Sequence, residues 1–178
     1  MDNLIAARSE KAKKAFENND FSAAAEGFQE CLTLLEIQKD TINAAEMRNN
    51  LSVVLLELKK PDEALSMVQG TAQFFFESGD RQKQAMALGN QAAALQALGK
   101  LAESLSLYET SAEVFNEIHN QKMRVIILKK ISDLQLRTGK QYQALASLEA
   151  SYDNQEQKTI RQKVLKGFLR NIIQKLTG

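Results

Sequence analysis

The sequence predicts an all-α repeat array: four helix-turn-helix units followed by one capping helix. Three observations carry that expectation. The 178-residue chain holds one proline and eight glycines, poor material for a turn-rich β-fold, and Ala, Leu, Gln, Glu and Lys, all good helix formers, dominate it. Apolar residues recur at helical spacing, as in Met47, Leu51, Val54, Leu55 and Leu58. The pattern also repeats itself at a spacing of 40 residues, which makes one supersecondary unit per copy.

The register is read from small residues. Ala24, Ala64, Ser104 and Ala144 each follow a helix-helix turn at a common 40-residue interval. The same interval relates Ala12, Ser52, Ala92 and Ser132, and again Cys31, Thr71, Ser111 and Ser151. Phe28, Val68, Tyr108 and Leu148 are large in every copy. Two antiparallel helices joined by a short turn approach closely only where small side chains meet. Ser52 is therefore expected to face Ala64, and the large residues to fill the layers between hairpins.

Each copy reads as helix A, a tight turn and helix B. In copy two, helix A runs over about 41–58 and stops at Lys59-Lys60-Pro61, with proline acceptable as the first residue of helix B. Helix B is expected to continue to about Ser78, where Gly79 supplies a left-handed cap. Repeats are expected over about 2–40, 41–80, 81–120 and 121–157, forming one domain. The stretch 86–120 is the least altered copy. Copy one carries Lys11 where its sisters have apolar or neutral residues, so its helix A is expected to expose one face. Copy four has Asn154-Gln155 where earlier copies have apolar pairs, and its stripe ends near Tyr152. A last amphipathic helix, 158–176, carries Ile160, Val164, Phe168, Ile172 and Leu176 and is expected to cover the open end of the stack.

Charge restricts the function classes. The net charge is +1, which gives no global field for a polyanion. The six basic residues from Lys158 onward meet no acid, leaving 17 basic and 22 acidic residues before them. That basic end reads first as the solvated face of a cap, ahead of a membrane-surface helix or a contact to nucleic acid. The N-terminus has no apolar signal core, no run is long enough to span a membrane, and the one cysteine excludes an intrachain disulfide. A cytoplasmic protein is the default expectation, with neither nucleic acid nor membrane as partner.

Catalytic and metal chemistry find few residues. His119 is the sole histidine and falls in an inter-repeat loop, with no second His or Cys to complete an N/S metal site. Cys31 occupies a packing position and has no histidine to activate it. Gly79, Gly89 and Gly99 are too dispersed for a phosphate loop. No catalytic residue, metal ligand or cofactor is expected.

The pieces Leu88-Gly89-Asn90, Ala92, Leu95, Gly99-Lys100-Leu101, Ser104, Tyr108 and Ser111 resemble the tetratricopeptide repeat, in the 40-residue variety found in some adaptor scaffolds. The resemblance implies a right-handed superhelix and a groove lined by the A helices. The groove positions it implies are Ser9, Lys13, Asn49, Asn50, Val53, Asn90, Ala93, Gln96, Lys129, Lys130, Asp133 and Arg137. Asparagines there could pair with a peptide backbone through donor and acceptor alike. The chain departs from the family at Arg8 and Arg48, where a bulky apolar residue is usual. It also departs from the chaperone-tail clamp, whose places fall on Ser9, Lys13, Asn50, Met86 and Asn90; Ser9 and Met86 break the pattern. The resulting expectation is a non-enzymatic scaffold that binds a peptide or helix of a protein partner. The alternatives are a self-assembling homodimeric module or a peptide-sensing regulatory domain. Phe76 is the candidate self-association residue, because its counterparts are Glu36, Asn116 and Glu156.

Overall fold

A computed structural model describes residues 2–153, together with 170, 173 and 174. Among them all regular structure is helical: α1 (Asp2–Glu17), α2 (Phe21–Gln38), α3 (Thr41–Glu57), α4 (Pro61–Val68), α5 (Thr71–Glu77), α6 (Arg81–Ala97), α7 (Leu101–Glu117), α8 (Gln121–Arg137) and α9 (Gln141–Asp153). The chain divides into two compact units, Met1–Lys100 and Leu101–Gly178. In the first, α1 packs on α2, α2 on α3 and α3 on α4, while α6 lies against α3, α4 and α5. In the second, α8 packs on both α7 and α9.

The small-residue register is the core. Ala24, Ala64 and Ser104 are fully buried and Ala144 nearly so. Ala12, Ser52, Ala92 and Ser132 are buried as well, as are Cys31, Thr71, Ser111 and Ser151. Close approach is explicit at two crossings. A Cβ built on Gly27 of α2 would stand 2.9 Å from the Ala12 Cβ of α1. In the second unit the Ser132 hydroxyl donates to the Ala144 carbonyl at 2.7 Å, so a small residue of α8 meets its small counterpart on α9. Larger residues fill the remaining core: Phe75 and Phe115 are fully buried, and Tyr108 is 2% exposed.

The turns repeat as closely as the core. Asn19, Lys39, Lys59 and His119 have φ between 57° and 61°, and Gly79, Gly99 and Gly139 between 76° and 80°. Each is a left-handed residue after a helix, and they recur every 20 residues. The bonding is that of a Schellman cap. The Lys39 N–H donates to Glu36 and the Asp40 N–H to Leu35, and the same pair of bonds closes each of the other turns. Four of the next helices then start on an acceptor side chain: Asp20, Asp40, Asp80 and Asn120 accept from Ala23, Asn43, Lys83 and Met123 N–H groups. Each of these four turns thus ends one helix and caps the next within two residues; at Lys60 the next helix starts on Pro61 with no side-chain cap.

Helix B of the second repeat departs from the expected single helix. It breaks into α4 and α5 at Gln69-Gly70, where Gly70 adopts φ 81°. The corresponding residues Glu30, Thr110 and Ala150 lie inside α2, α7 and α9. Periodicity alone missed the break because Val68, Thr71, Ala72 and Phe75 keep the core register on both sides of it.

The expected capping helix falls largely outside the described residues. Arg170 reaches α9, with its Nε 3.4 Å from Glu149 Oε1.

Candidate protein-binding surface

The residues singled out for the groove fall on both units, and each group stands by itself. In the first unit Lys13, Asn50 and Val53 converge. They line one cleft of about 230 Å³ with Phe16, Glu17, Phe28 and Val54. The reason is local. Lys13 and Phe16 are three residues apart on α1 and share a face. Asn50, Val53 and Val54 present the facing stripe of α3, and the buried Phe28 of α2 closes the floor. Lys13 and Glu17 are exposed, while Asn50 and Val53 are half-buried. The cleft therefore has an aromatic and aliphatic floor with an ammonium, a carboxylate and an amide at its edge. Sequence reasoning found its edge and missed Phe16 and Phe28. Phe16 sits one turn beyond Ala12 on the same apolar stripe, which was the available signal.

Asn49 has another role. It is 4% exposed, and its Oδ1 accepts a hydrogen bond from Asn90 Nδ2 at 2.9 Å. An amide at that depth is costly unless bonded, and here the bond runs from α3 to α6. Asn49 is thus removed from the set a partner could touch, whereas Asn90 is only half-buried. Ser9 is likewise buried, with its hydroxyl 3.9 Å from the Met47 sulfur. Ala93 and Gln96 are half-buried on α6. Lys83, also on α6, pairs with Glu46 of α3 at 2.9 Å and with Asp80 at 3.5 Å. The hydrogen bond to Glu46 is the main reason its ammonium pKa is raised.

In the second unit Lys129, Lys130, Asp133 and Arg137 are all exposed on α8. Beside them Leu136 is 52% exposed and Ile126 44%. Behind this face Gln135 is buried and accepts from the Ser147 hydroxyl of α9 at 2.9 Å.

Phe76 lies on α5 with half its surface exposed, beside the fully buried Phe75. The Arg81 guanidinium stands 5.5 Å from the centre of its ring, close enough for a cation–π contact. A second cleft in the first unit, about 670 Å³, opens beside the α4–α5 break; Leu35, Ala44, Thr71 and Phe74 line it, and the Arg48–Glu36 ion pair (2.6 Å) is at its edge.

The residues of classical chemistry stay apart. The Cys31 thiol is buried, and burial pushes its pKa up, which disfavours the nucleophilic thiolate. His119 is an exposed left-handed turn residue. Among the described residues no cluster of His, Cys, Asp and Glu could hold a metal ion, and no helix is long and apolar enough to cross a membrane.

Comparison with known proteins adds the following. Residues 83–157 match the family model of the tetratricopeptide repeat. The fold resembles a crystal structure from Podosopora anserina, described as the nearly identical TPR-like repeats of a "putative kinesin light chain". Identity is 12% with a TM-score of 0.56, covering 98% of this chain and 95% of that one. A single-substitution variant of the same protein gives the same identity and TM-score, with coverage of 96% and 93%. Curated proteins yield no match.

Proposed function

We propose that this chain, which carries tetratricopeptide-repeat sequence over residues 83–157 and the fold of such repeats, is a non-catalytic scaffold that binds an extended segment of a protein partner. Tetratricopeptide repeats are in general protein–protein interaction modules and are in general not catalytic. The observation that carries the finer reading is the cleft at Lys13, Asn50 and Val53. Its volume suits one bulky apolar side chain rather than a drug-sized ligand. The half-buried Asn50 amide at its edge offers a donor and an acceptor to the backbone on either side of that side chain. The helices that carry these groups are already packed, so little ordering is lost by the scaffold on binding.

The test compares two chains in a pull-down from native extract. One carries Lys13→Ala, Asn50→Ala and Val53→Glu; the other carries Lys14→Ala as a control. Partners retained by the control and lost by the triple variant support the cleft. Equal recovery by both rejects it. The alternative of self-assembly through Phe76 rests on that ring's exposure, and light scattering on Phe76→Glu reads it: an oligomer insensitive to the substitution removes it.

A further inference from the structure

The break in the second repeat's B helix is a feature that repeat architecture does not require. Its three sister helices run straight through the same position, at Glu30, Thr110 and Ala150. No residue has been inserted, because Ala64, Val68, Thr71, Ala72 and Phe75 hold the places of Ala24, Phe28, Cys31, Leu32 and Leu35. The segment thus has the length and the apolar pattern of a continuous helix over positions 61–77. No close approach requires glycine there either, since a Cβ on Gly70 would meet nothing within 4 Å. What distinguishes the position is glycine's freedom: Gly70 takes φ 81° and Gln69 an extended ψ of 130°. Among the described residues the Gly70 N–H has no backbone acceptor, whereas its neighbour Gln69 still donates to Leu65 at 3.0 Å. Both residues are exposed, so water can satisfy the groups that the break releases. The broken form uses glycine's left-handed freedom, whereas a continuous helix would recover the missing helical bonds.

The break also shapes a surface. Gln69, Gly70, Thr71 and Phe74 form one wall of the cleft of about 670 Å³, opposite Leu35 of α2 and Ala44 of α3. We propose that Gln69-Gly70 is a conformational joint. At it the second B helix converts between the broken form and a continuous helix, and the cleft wall is remodelled with it. Anything seated against Phe74 in the broken form shifts the balance by its differential affinity for the two forms.

Alanine at position 70 is disfavoured in the left-handed form and favoured in the helix. Each effect is worth roughly five-fold, so together they shift the equilibrium by about twenty-five-fold toward the continuous helix. Asparagine tolerates the left-handed region and serves as the contrast. The experiment is NMR on the full chain, reading the Gln69 Cα shift and the amide exchange of residues 70–73. In Gly70→Ala we expect Gln69 to move to a helical shift and those amides to gain at least ten-fold in protection, while Gly70→Asn keeps Gln69 extended. An extended Gln69 in folded Gly70→Ala overturns the proposal. Should Gly70→Ala fail to fold, relaxation dispersion at residues 70–73 of the unsubstituted chain decides. Exchange between two states supports the joint, and flat profiles overturn it.

Discussion

Replacing the left-handed lysines by glycine should stabilise the first unit. Lys39 and Lys59 hold φ 59° and 61°, are exposed, and engage their backbone N–H groups in the caps. A left-handed residue other than glycine costs about 1–2 kcal/mol. Glycine removes that cost but widens the unfolded ensemble, which takes back roughly 0.4–1 kcal/mol. The net gain is about 0.5–1 kcal/mol per site. The two sites lie in successive turns and share no side-chain partner, so Lys39→Gly with Lys59→Gly should give about 1–2 kcal/mol. In a chain of this size that raises a melting midpoint by roughly 3–6 °C. Differential scanning calorimetry is the assay, with Gly79→Ala as the mirror experiment at φ 80°. That variant should lose a similar amount. An unchanged or lowered midpoint in the double variant, with Gly79→Ala neutral, would refute the claim that backbone conformation and not side-chain identity governs these turns.

Gly27→Val should lower the midpoint. Its Cβ begins 2.9 Å from that of Ala12, and overpacking of about 1–3 kcal/mol exceeds the few tenths gained in helix propensity; a neutral result on calorimetry would mean α1 and α2 can separate freely. Asn49→Ala should cost about 1–3 kcal/mol by removing a buried, bonded amide, and a double-mutant cycle with Asn90→Ala should show coupling, whereas strictly additive losses would dismiss the amide pair. Tyr108 supplies a pH test. Burial pushes its phenol pKa up to about 12. A raised pKa means the folded state keeps a proton that the unfolded chain gives up near pH 10. Its contribution is therefore complete below pH 10 and lost as pH climbs toward 12. Urea midpoints should fall across that window and fall less steeply in Tyr108→Phe; parallel slopes would exclude Tyr108 as the source.

The sequence carries the fold because the fold is periodic. A small residue at a helix crossing leaves the same trace in every copy, so Ala24, Ala64, Ser104 and Ala144 align without any structure. A left-handed cap is legible where it is glycine, as at Gly79, and becomes visible at Lys39, Lys59 and His119 only once register is imposed on them. The break at Gly70 was not legible, because hydrophobic pattern reports which face is buried and Gly70 leaves that face unchanged. The candidate cleft was legible only at its edge. Family position nominated Lys13, Asn50 and Val53, but it nominated Asn49 with equal weight. Helical spacing places Asn49 and Asn50 100° apart, which turns one amide inward to Asn90 and leaves the other half-exposed. A single sequence does not say which of two adjacent asparagines a neighbouring helix will cover.

The even spacing of the turns has a consequence for how such a chain can change in length. Among the described residues, every junction between an A and a B helix uses the same pair of backbone bonds and returns after the same count of residues. A duplication or loss of forty residues would rejoin an A helix to a B helix with every cap intact. An event of twenty residues would preserve each cap equally well, yet set an A helix where a B helix belongs and bury the wrong face. Local geometry permits both, and the core permits only the first. The caps make the chain easy to cut and rejoin, and the small residues of the core decide which products fold.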